Sequence, residues 1–587
     1  MKKVLFAAMA AIALLAGCAK EPTLALSDNS ETLEYKASTF DVEVTSGGNW
    51  NLAAAEDYTW ISASKSSGMA GDVITFTTQL NVTGKIRSAK FNVLSGEQTQ
   101  EISITQKSGV LDAVLSLSLV NVAQGAAIFD LGIQTSNVDD YKEYGVYYAT
   151  EADLAKAQRK VLGTDVAAGT KSVTLDGLQD NTEYFAWPFI VALTGEEVVL
   201  ENALKVVPPI CVDDPEMVQE TINAAAEYSV IRLRGGMVVT GGIEMKSNIT
   251  VSGGWSQDFS AQNADKTVIE GGENIAAVYV PEGTTGAVVQ NLELTKGNVQ
   301  SVDTRATGGG VRAAGDITVE NCYIHHNRAF SRGGGVASAD DKTPEHTIVV
   351  VNSVISHNVA EDSHGAGIFI GTYGKLIMIN SLVTGNWNQE PDKWSSALMT
   401  YGSTVMINNT ITKNYHCGTY YPVLLRTDNN EPTHYWVNNI VAGGYYADES
   451  QDGWVTIEGW SWDQFASVED KYALDPAEPI KLEVPANCVF LNNLISASED
   501  GTGISVNDGS TNRLEGNVTI PYDSDFNILF SDFANDEYTL CSGSPAINIG
   551  TTSDPVASEY LTKYAKDLAG NARVAGSKVD AGCYELQ

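Results

Sequence analysis

Short β-branched or apolar runs alternate with polar turns down the second half of the chain, and each run closes on an asparagine: VVQN, TVEN, VVVN, IMIN, VMIN, YWVN. The closing residues Asn291, Asn321, Asn352, Asn380, Asn408 and Asn438 lie 28 to 31 residues apart. A second asparagine follows six residues after four of them, at Asn327, Asn358, Asn386 and Asn414. Runs rich in glycine or small residues then open the next unit at Gly308, Gly333 and Gly365. Strand-length runs at a fixed period, with no helical spacing, predict one unit stacked on copies of itself as the coils of a parallel β-helix. Each coil parses as three strands: one after the glycine run, one before the first asparagine, one leading to the second. Asparagine suits these turns because it tolerates left-handed backbone angles. Its amide can also bond to the asparagine of the next coil, about 4.8 Å away. The six closing asparagines are the expected structural ladder.

Upstream the pattern changes. Residues 24–108 alternate apolar and polar positions between closely spaced turn signals, as a β-sandwich does. Gly47-Gly48-Asn49-Trp50, Trp60-Ile61, Gly68, Gly71, Asn81, Arg87 and Ile104-Thr105-Gln106 together resemble the BACON family. That resemblance implies a module at the front of a bacterial surface lipoprotein, with carbohydrate as its ligand. Trp50 and Trp60 are then either sugar platforms or core, and core is the expectation. Residues 110–208 form a second β module, in which Tyr144-Gly145-Val146-Tyr147-Tyr148 and the segment from Val173 to Tyr184 resemble a fibronectin type III domain. Both sandwiches would act as spacers.

Asp213-Asp214-Pro215 supplies an acidic N-cap and a proline at the first helical position. A helix over 215–228 is therefore expected, with Val218, Ile222 and Ala225 on its apolar face. A helix over the open end, followed by a strand and Gly235-Gly236, resembles the start of pectin-lyase-like solenoids, here spanning 209–540. The segments from Ser544 to Gly550, Asp567 to Arg573 and Val579 to Glu585 resemble the choice-of-anchor Q module. This resemblance implies a preceding right-handed β-helix and a C-terminal cap over 541–587, with Asp567, Arg573 and Asp580 as a buried polar network. The fold class is thus all-β: a right-handed parallel β-helix solenoid preceded by two β-sandwich (Ig-like) domains.

Met1-Lys2-Lys3, an apolar run from Val4 to Ala16 and Gly17-Cys18 read as a signal peptide, residues 1–18, too short to span a bilayer. Leu15-Ala16-Gly17-Cys18 resembles a bacterial lipobox, which implies cleavage before Cys18 and lipidation of that residue. Several acyl chains there would give stable anchoring. Ala19, where Asp would favour inner-membrane retention, points to an outer-membrane lipoprotein, lipid-anchored at the cell surface. The formal net charge of −37 argues against nucleic acid as a partner, since polyanions are repelled. It leaves Ca2+ as the one open cofactor, bridging to an acidic ligand, and no other cofactor is expected. Six cysteines besides Cys18 show no metal spacing; they are either buried free thiols or, for Cys541 with Cys583, a disulfide.

Candidate chemistry gathers in the loops between third and first strands. Side chains alternate along a strand. With Val311, Val336, Ile368, Leu398 and Leu424 inward, the first strands turn outward Arg312, Ala337, Phe369, Met399 and Leu425. That face is mostly small or apolar and lacks the bases and calcium-binding carboxylates of a polyuronate lyase. The loops instead offer Trp387, Trp394, Tyr415, Tyr420 and Tyr421 as flat faces for sugar rings, and the long interval between Asn438 and Asn492 adds Trp454, Trp460 and Trp462. Asp362 or Asp392 with His364 or His416 could form an acid–base pair on the same edge. The His-Gly pair at His364-Gly365 superficially resembles a polygalacturonase motif, but Gly365 to Gly367 keep the register of the repeat and are read as repeat structure.

A β-helix hosts enzymes, adhesins and spacers alike, so the fold does not select among functions. Three classes follow: a polysaccharide-binding surface protein, favoured by the aromatic loop edge; a polysaccharide lyase or glycoside hydrolase on that edge; and an adhesin for a protein partner.

Overall fold

The computed structural model describes residues 23–109, 111–300, 307–340, 342–389, 395–417, 422–426, 432–447, 474–476, 482–484, 488–497, 503–506, 512–575 and 578–587. Cys18, Asp392, Trp394, Tyr420, Tyr421, Trp454, Trp460 and Trp462 lie outside these residues. The chain forms two compact units. The first comprises the segments up to Asn121, Ala127–Asp176 and Glu183–Val206; the second comprises Val122–Ala126, Gly177–Thr182 and Val207–Gln587. Among the described residues no helix is long and apolar enough to cross a membrane.

The first unit holds β-sandwich modules. A four-strand sheet around Ser38–Thr45 and Asp72–Thr78 accompanies a five-strand sheet around Arg87–Ser95 and Gln98–Gln106. Alternate residues of the strands, among them Val42, Val44, Ile74, Phe76, Val93 and Ile104, are wholly buried in one core. Trp50 belongs to that core, and its Nε1 donates to the Met69 carbonyl at 2.9 Å. Gly68 is required beside it, since a Cβ there would fall 2.5 Å from the Trp50 ring. Arg87 lies 4.5 Å over the Trp60 ring and donates from Nε to Gln106 Oε1 at 2.9 Å. Gln106 in turn donates to the carbonyls of Lys36 and Gln79, both at 3.0 Å. The BACON-like residues of the sequence thus tie the module together. In the second sandwich Tyr144 is buried and donates to Asp165 at 2.8 Å.

The second unit is built on long sheets of parallel strands. The chain visits four in turn: a front sheet (Val311–Ala313 and its equivalents), a second sheet (Ile317–Glu320), a third (Tyr323–His325) and a fourth (Arg328–Ala329). Strands pair in parallel with the strand one rung along, save that Leu474–Pro476 at the end of the fourth sheet pairs antiparallel with Tyr445–Ala447. Every full rung therefore carries four strands rather than three. The fourth is two or three residues long, too short to leave a periodic trace in sequence. Val278, Val311, Val336, Ile368 and Leu398 from the front sheet meet Val289, Val319, Val350 and Met378 from the second in a continuous core.

Asparagine serves this stack in two distinct ways. Asn291, Asn321, Asn352, Asn380, Asn408 and Asn438 all adopt left-handed angles, with φ from +47° to +61°, and so does Asn492. They turn the chain from the second sheet into the third. Asn327, Asn358, Asn386 and Asn414 are buried instead, and each amide donates to the carbonyl oxygen of the next, at 2.9 to 3.0 Å. A parallel column, Asn409, Asn439 and Asn493, all buried, and the half-buried Asn517, is joined the same way at 2.9 to 3.0 Å. Left-handed residues recur again just before the first buried column, at Lys296, His326, His357, Gly385 and Lys413.

The helix at the start of the stack is shorter than the sequence implies. A 3-10 turn, Pro215–Met217, leads into Val218–Ala224, and Ala225 is already extended. Asp214 caps it, accepting from the Glu216 amide at 3.0 Å, and Val218 and Ile222 are wholly buried against the first rungs. The last segment lies along the flank of the stack rather than continuing it. Asn380 donates to the carbonyls of Tyr564 and Lys566, Asn408 to Asp580, Asn438 to Thr551 and Asn492 to Ile549. Within it Arg573, Asp567, Asp580 and Glu585 are buried together. Arg573 donates to the carbonyls of Gly582 and Cys583, while Asp580 accepts from the Asn548 and Leu586 amides. Cys541 and Cys583 do not pair: both are free thiols, as are Cys211, Cys322 and Cys488. Burial pushes the Cys583 thiol up to about 12.

Candidate functional site

The outward positions of the front sheet stand in register as Glu244, Tyr279, Arg312, Ala337, Phe369, Met399 and Leu424. The last of these corrects the sequence reading by one residue. Val423 and Leu425 enter the core and Leu424 faces out. The Leu398 amide donates to the Pro422 carbonyl at 3.1 Å, just as Ile368 does to Ala397, so Pro422 takes the place expected of Val423. A one-residue slip exchanges the faces of a strand.

The row has two parts. Ala337, Phe369 and Met399 are wholly buried, packed with Tyr401 and Leu424. The Arg332 guanidinium lies 4.8 Å over the Phe369 ring, and Arg426 lies 5.6 Å from the Tyr401 ring. The first glycine of each run allows this closure. Gly333 and Gly365 sit at φ +61° and +64°. A Cβ on Gly333 would fall 2.5 Å from the Ala337 Cβ, and one on Gly365 3.1 Å from the Met399 Cβ. Nearer the start of the stack the row opens: Glu244 is exposed, Tyr279 and Arg312 are half-buried, and all three line a cleft of about 550 Å3.

A second cleft, about 630 Å3, lies at the edge where front strands lead into the second sheet. Asp316, Glu345, His346, Tyr373 and Lys375 line it. Tyr373, at the tip of Gly371-Thr372-Tyr373-Gly374, is 50 % exposed. Asp316 is held by the Thr347 amide, which donates to it at 2.7 Å. His346 is a structural member of the wall. Its Nδ1 donates to the Pro344 carbonyl at 2.7 Å and its Nε2 accepts from Ser338 Oγ at 2.8 Å. Burial holds its pKa below the ordinary histidine value. Ser338 is itself wholly buried and accepts from the Gly371 amide, so the Ser–His pair has no access to a substrate.

The loop edge singled out by sequence is placed differently. Trp387 and Tyr415 are 6 % and 5 % exposed, and Tyr415 stacks on Tyr445 at 5.9 Å. Tyr445 meets Phe533 of the flanking segment at 6.4 Å. Trp387, Tyr415 and Tyr445 stand in one register as a structural aromatic ladder, so Trp387 and Tyr415 are not sugar platforms. His416 is 1 % exposed and cannot serve as a solvent-facing base. Asp362 is exposed and His364 half-buried on that edge. Among the described residues no group of three or more His, Cys, Asp and Glu could hold a metal ion. Sequence reasoning passed over Tyr373, although a large aromatic between glycines at a polar turn is a legible sign of exposure.

Residues 49–107 match the family model "BACON: Putative binding domain, N-terminal". No curated protein matches the chain. Among solved structures, a GH5 xyloglucanase from Bacteroides ovatus in complex with a XXXG heptasaccharide aligns at 20% identity and TM-score 0.14, over 16% of this chain and 20% of that one. An endo-fucoidan hydrolase of glycoside hydrolase family 107 aligns at 14% identity and TM-score 0.18, over 32% and 29%. The chicken CNTN1 FN1–FN3 domains align at 12% and 0.18, over 32% and 65%. This chain thus spans about a fifth of the length of the xyloglucanase it resembles.

Proposed function

We propose that this protein is a cell-surface lipoprotein that binds polysaccharide. In this reading Cys18 carries the lipid, the outer membrane is the site of attachment, and the two sandwiches are spacers. The parallel rungs wind as a right-handed, pectin-lyase-like β-helix, flanked by a choice-of-anchor Q module. The observation that carries the binding role is Tyr373, a half-exposed ring in a polar cleft beside Asp316, Glu345 and Lys375. Sugars are bound by such pairings, the ring taking the apolar CH face and the charged groups the hydroxyls. The BACON-like module supports the same assignment, its family being described as a binding domain. Its own Trp50 is core, so the tandem rungs are the better candidate surface.

The test uses the soluble chain from Ala19 onward, retained on immobilised neutral and acidic polysaccharides with and without calcium. Tyr373→Ala should lower retention of a bound polysaccharide at least tenfold while leaving the melting temperature unchanged. Equal retention by the variant overturns the assignment of this cleft. Shortened chains among the products would replace binding with hydrolysis or lysis.

A further inference from the structure

Among the described residues, Arg312 lines a cleft without an ion pair. The chain carries 73 acidic residues against 36 Lys and Arg, and several arginines have a carboxylate partner. Arg159, Arg328 and Arg513 all have one. Arg312 has none: among the described residues its side chain makes no ion pair or hydrogen bond, and its Nε is buried without a partner. A buried N–H left unpaired costs about 1–3 kcal/mol. Glu244 lines the same cleft, two strands away along the front sheet, and no ion pair joins it to Arg312. Tyr279 stands between them, directly paired with each strand.

The backbone packs closely around the base of the Arg312 side chain. Gly308, at φ +70°, passes so close that a Cβ there would fall 2.7 Å from the Arg312 Cα. Beyond Arg312 the row closes at once, since Ala337 and Phe369 are wholly buried. At the other end Gln219 and Asn223 of the short helix bound the cleft. Gln219 is fixed by the Glu244 backbone, whose amide donates to it at 2.7 Å. The open row is three strands wide, about 10 Å, which suits one or two sugar rings rather than a running polymer.

We infer that the Glu244–Tyr279–Arg312 cleft is a separate binding site for the acidic end unit of a glycan, its carboxylate or sulfate taken by Arg312. An arginine fork donates paired N–H groups to a planar carboxylate or a sulfate. The Tyr279 ring offers the stacking face, and Glu244 accepts from hydroxyls on the far side. In a chain this acidic, one unpaired arginine in a cleft is also where an anion is least repelled. This inference rests on the carbohydrate reading above and names a second site with its own chemistry.

The experiment is calorimetric titration of the soluble chain with sialyllactose, sulfated lactose, lactose and sodium sulfate. Either or both of the acidic sugars should bind, lactose at least tenfold more weakly, with affinity falling as salt rises. Whichever of the two binds identifies the anion. Arg312→Gln should lower that affinity at least tenfold and leave polysaccharide retention at the Tyr373 cleft unchanged. Tyr279→Ala should weaken it too, and melting temperatures should stay level in both variants. Acidic-sugar binding indifferent to Arg312→Gln, or no preference over lactose, overturns this site while leaving the Tyr373 reading intact. Binding of sodium sulfate alone, with neither sugar bound, overturns the sugar assignment. Failure of every glycan at both clefts overturns the carbohydrate reading as a whole.

Discussion

The two kinds of asparagine column do different physical work with the same side chain. In the left-handed column, from Asn291 to Asn438, the residue is chosen for its backbone. Its amide takes whatever neighbour is at hand: Asn291 from Asn321, or carbonyls of the flanking segment from Asn380 onward. In the buried column, Asn327 to Asn414, the backbone is ordinary and the amide is everything. Asn386 alone shares its two N–H groups among the carbonyls of Ile355 and Thr384 and the Asn414 side-chain oxygen, and accepts from the Asn358 amide and side chain. A backbone preference can be met by glycine. A set of five buried hydrogen bonds can be met only by another primary amide.

The largest expected effect tests that contrast directly. Asn386→Leu leaves several buried groups unpaired, each worth about 1–3 kcal/mol, so the loss should be about 4 kcal/mol or more. In chemical denaturation the variant should be strongly destabilised or unfolded. A loss under about 1 kcal/mol would break the comparison.

Acid should act on the histidines set into the same rungs. Burial holds His434 down to about 3, and burial with the neighbouring His325 and His357 holds His326 down to about 4. A histidine whose folded pKa is depressed contributes its full stability above the unfolded value near 6.5 and loses it as pH falls toward the folded value. Stability should therefore decline between about pH 6.5 and pH 4, by on the order of 3 kcal/mol for His434. His434→Gln should flatten that profile in denaturation curves taken at each pH. A wild-type profile flat over this window would contradict the burial of these rings.

Next comes Asn380→Ala, which loses the bonds to Tyr564 and Lys566 and sets at φ +51° a residue that tolerates left-handed angles less well than asparagine. About 2 kcal/mol of destabilisation is expected, with Asn380→Gly recovering about 1 of it. The smallest effect should be at Asn321, exposed on the same column. Asn321→Gly should lie within about 0.5 kcal/mol of the parent. A large loss there would mean that the exposed amide, rather than the backbone angle, is what the position requires.

Much of this architecture is legible in the amino-acid pattern. The turn at Asn352 is legible because left-handed geometry is a local demand, written in one residue and repeated once per rung. The runs at Gly308 and Gly333 are visible as well, though their reason, the closeness of the loop to the outward row, is not. The fourth strand, such as Val359–Ala360, has too few residues to show a period. The slip at Leu424 arises because Val423, Leu424 and Leu425 are all apolar, so alternation does not mark which of them faces inward.

The candidate sites are less legible, because exposure is not a local property. Trp387 and Tyr415 carry every compositional mark of sugar platforms, yet Tyr445 and Phe533, distant in sequence, close over that ladder. Tyr373 and Arg312 matter for the opposite reason, that among the described residues nothing comparable covers them. By itself the sequence determined the repeat, its turns and, Leu424 apart, the inward residues of the front strands, since these depend on backbone angle and on alternation along a strand. Only the tertiary structure decided which outward residues meet solvent and which meet protein, since that depends on segments the chain brings together from more than a hundred residues away.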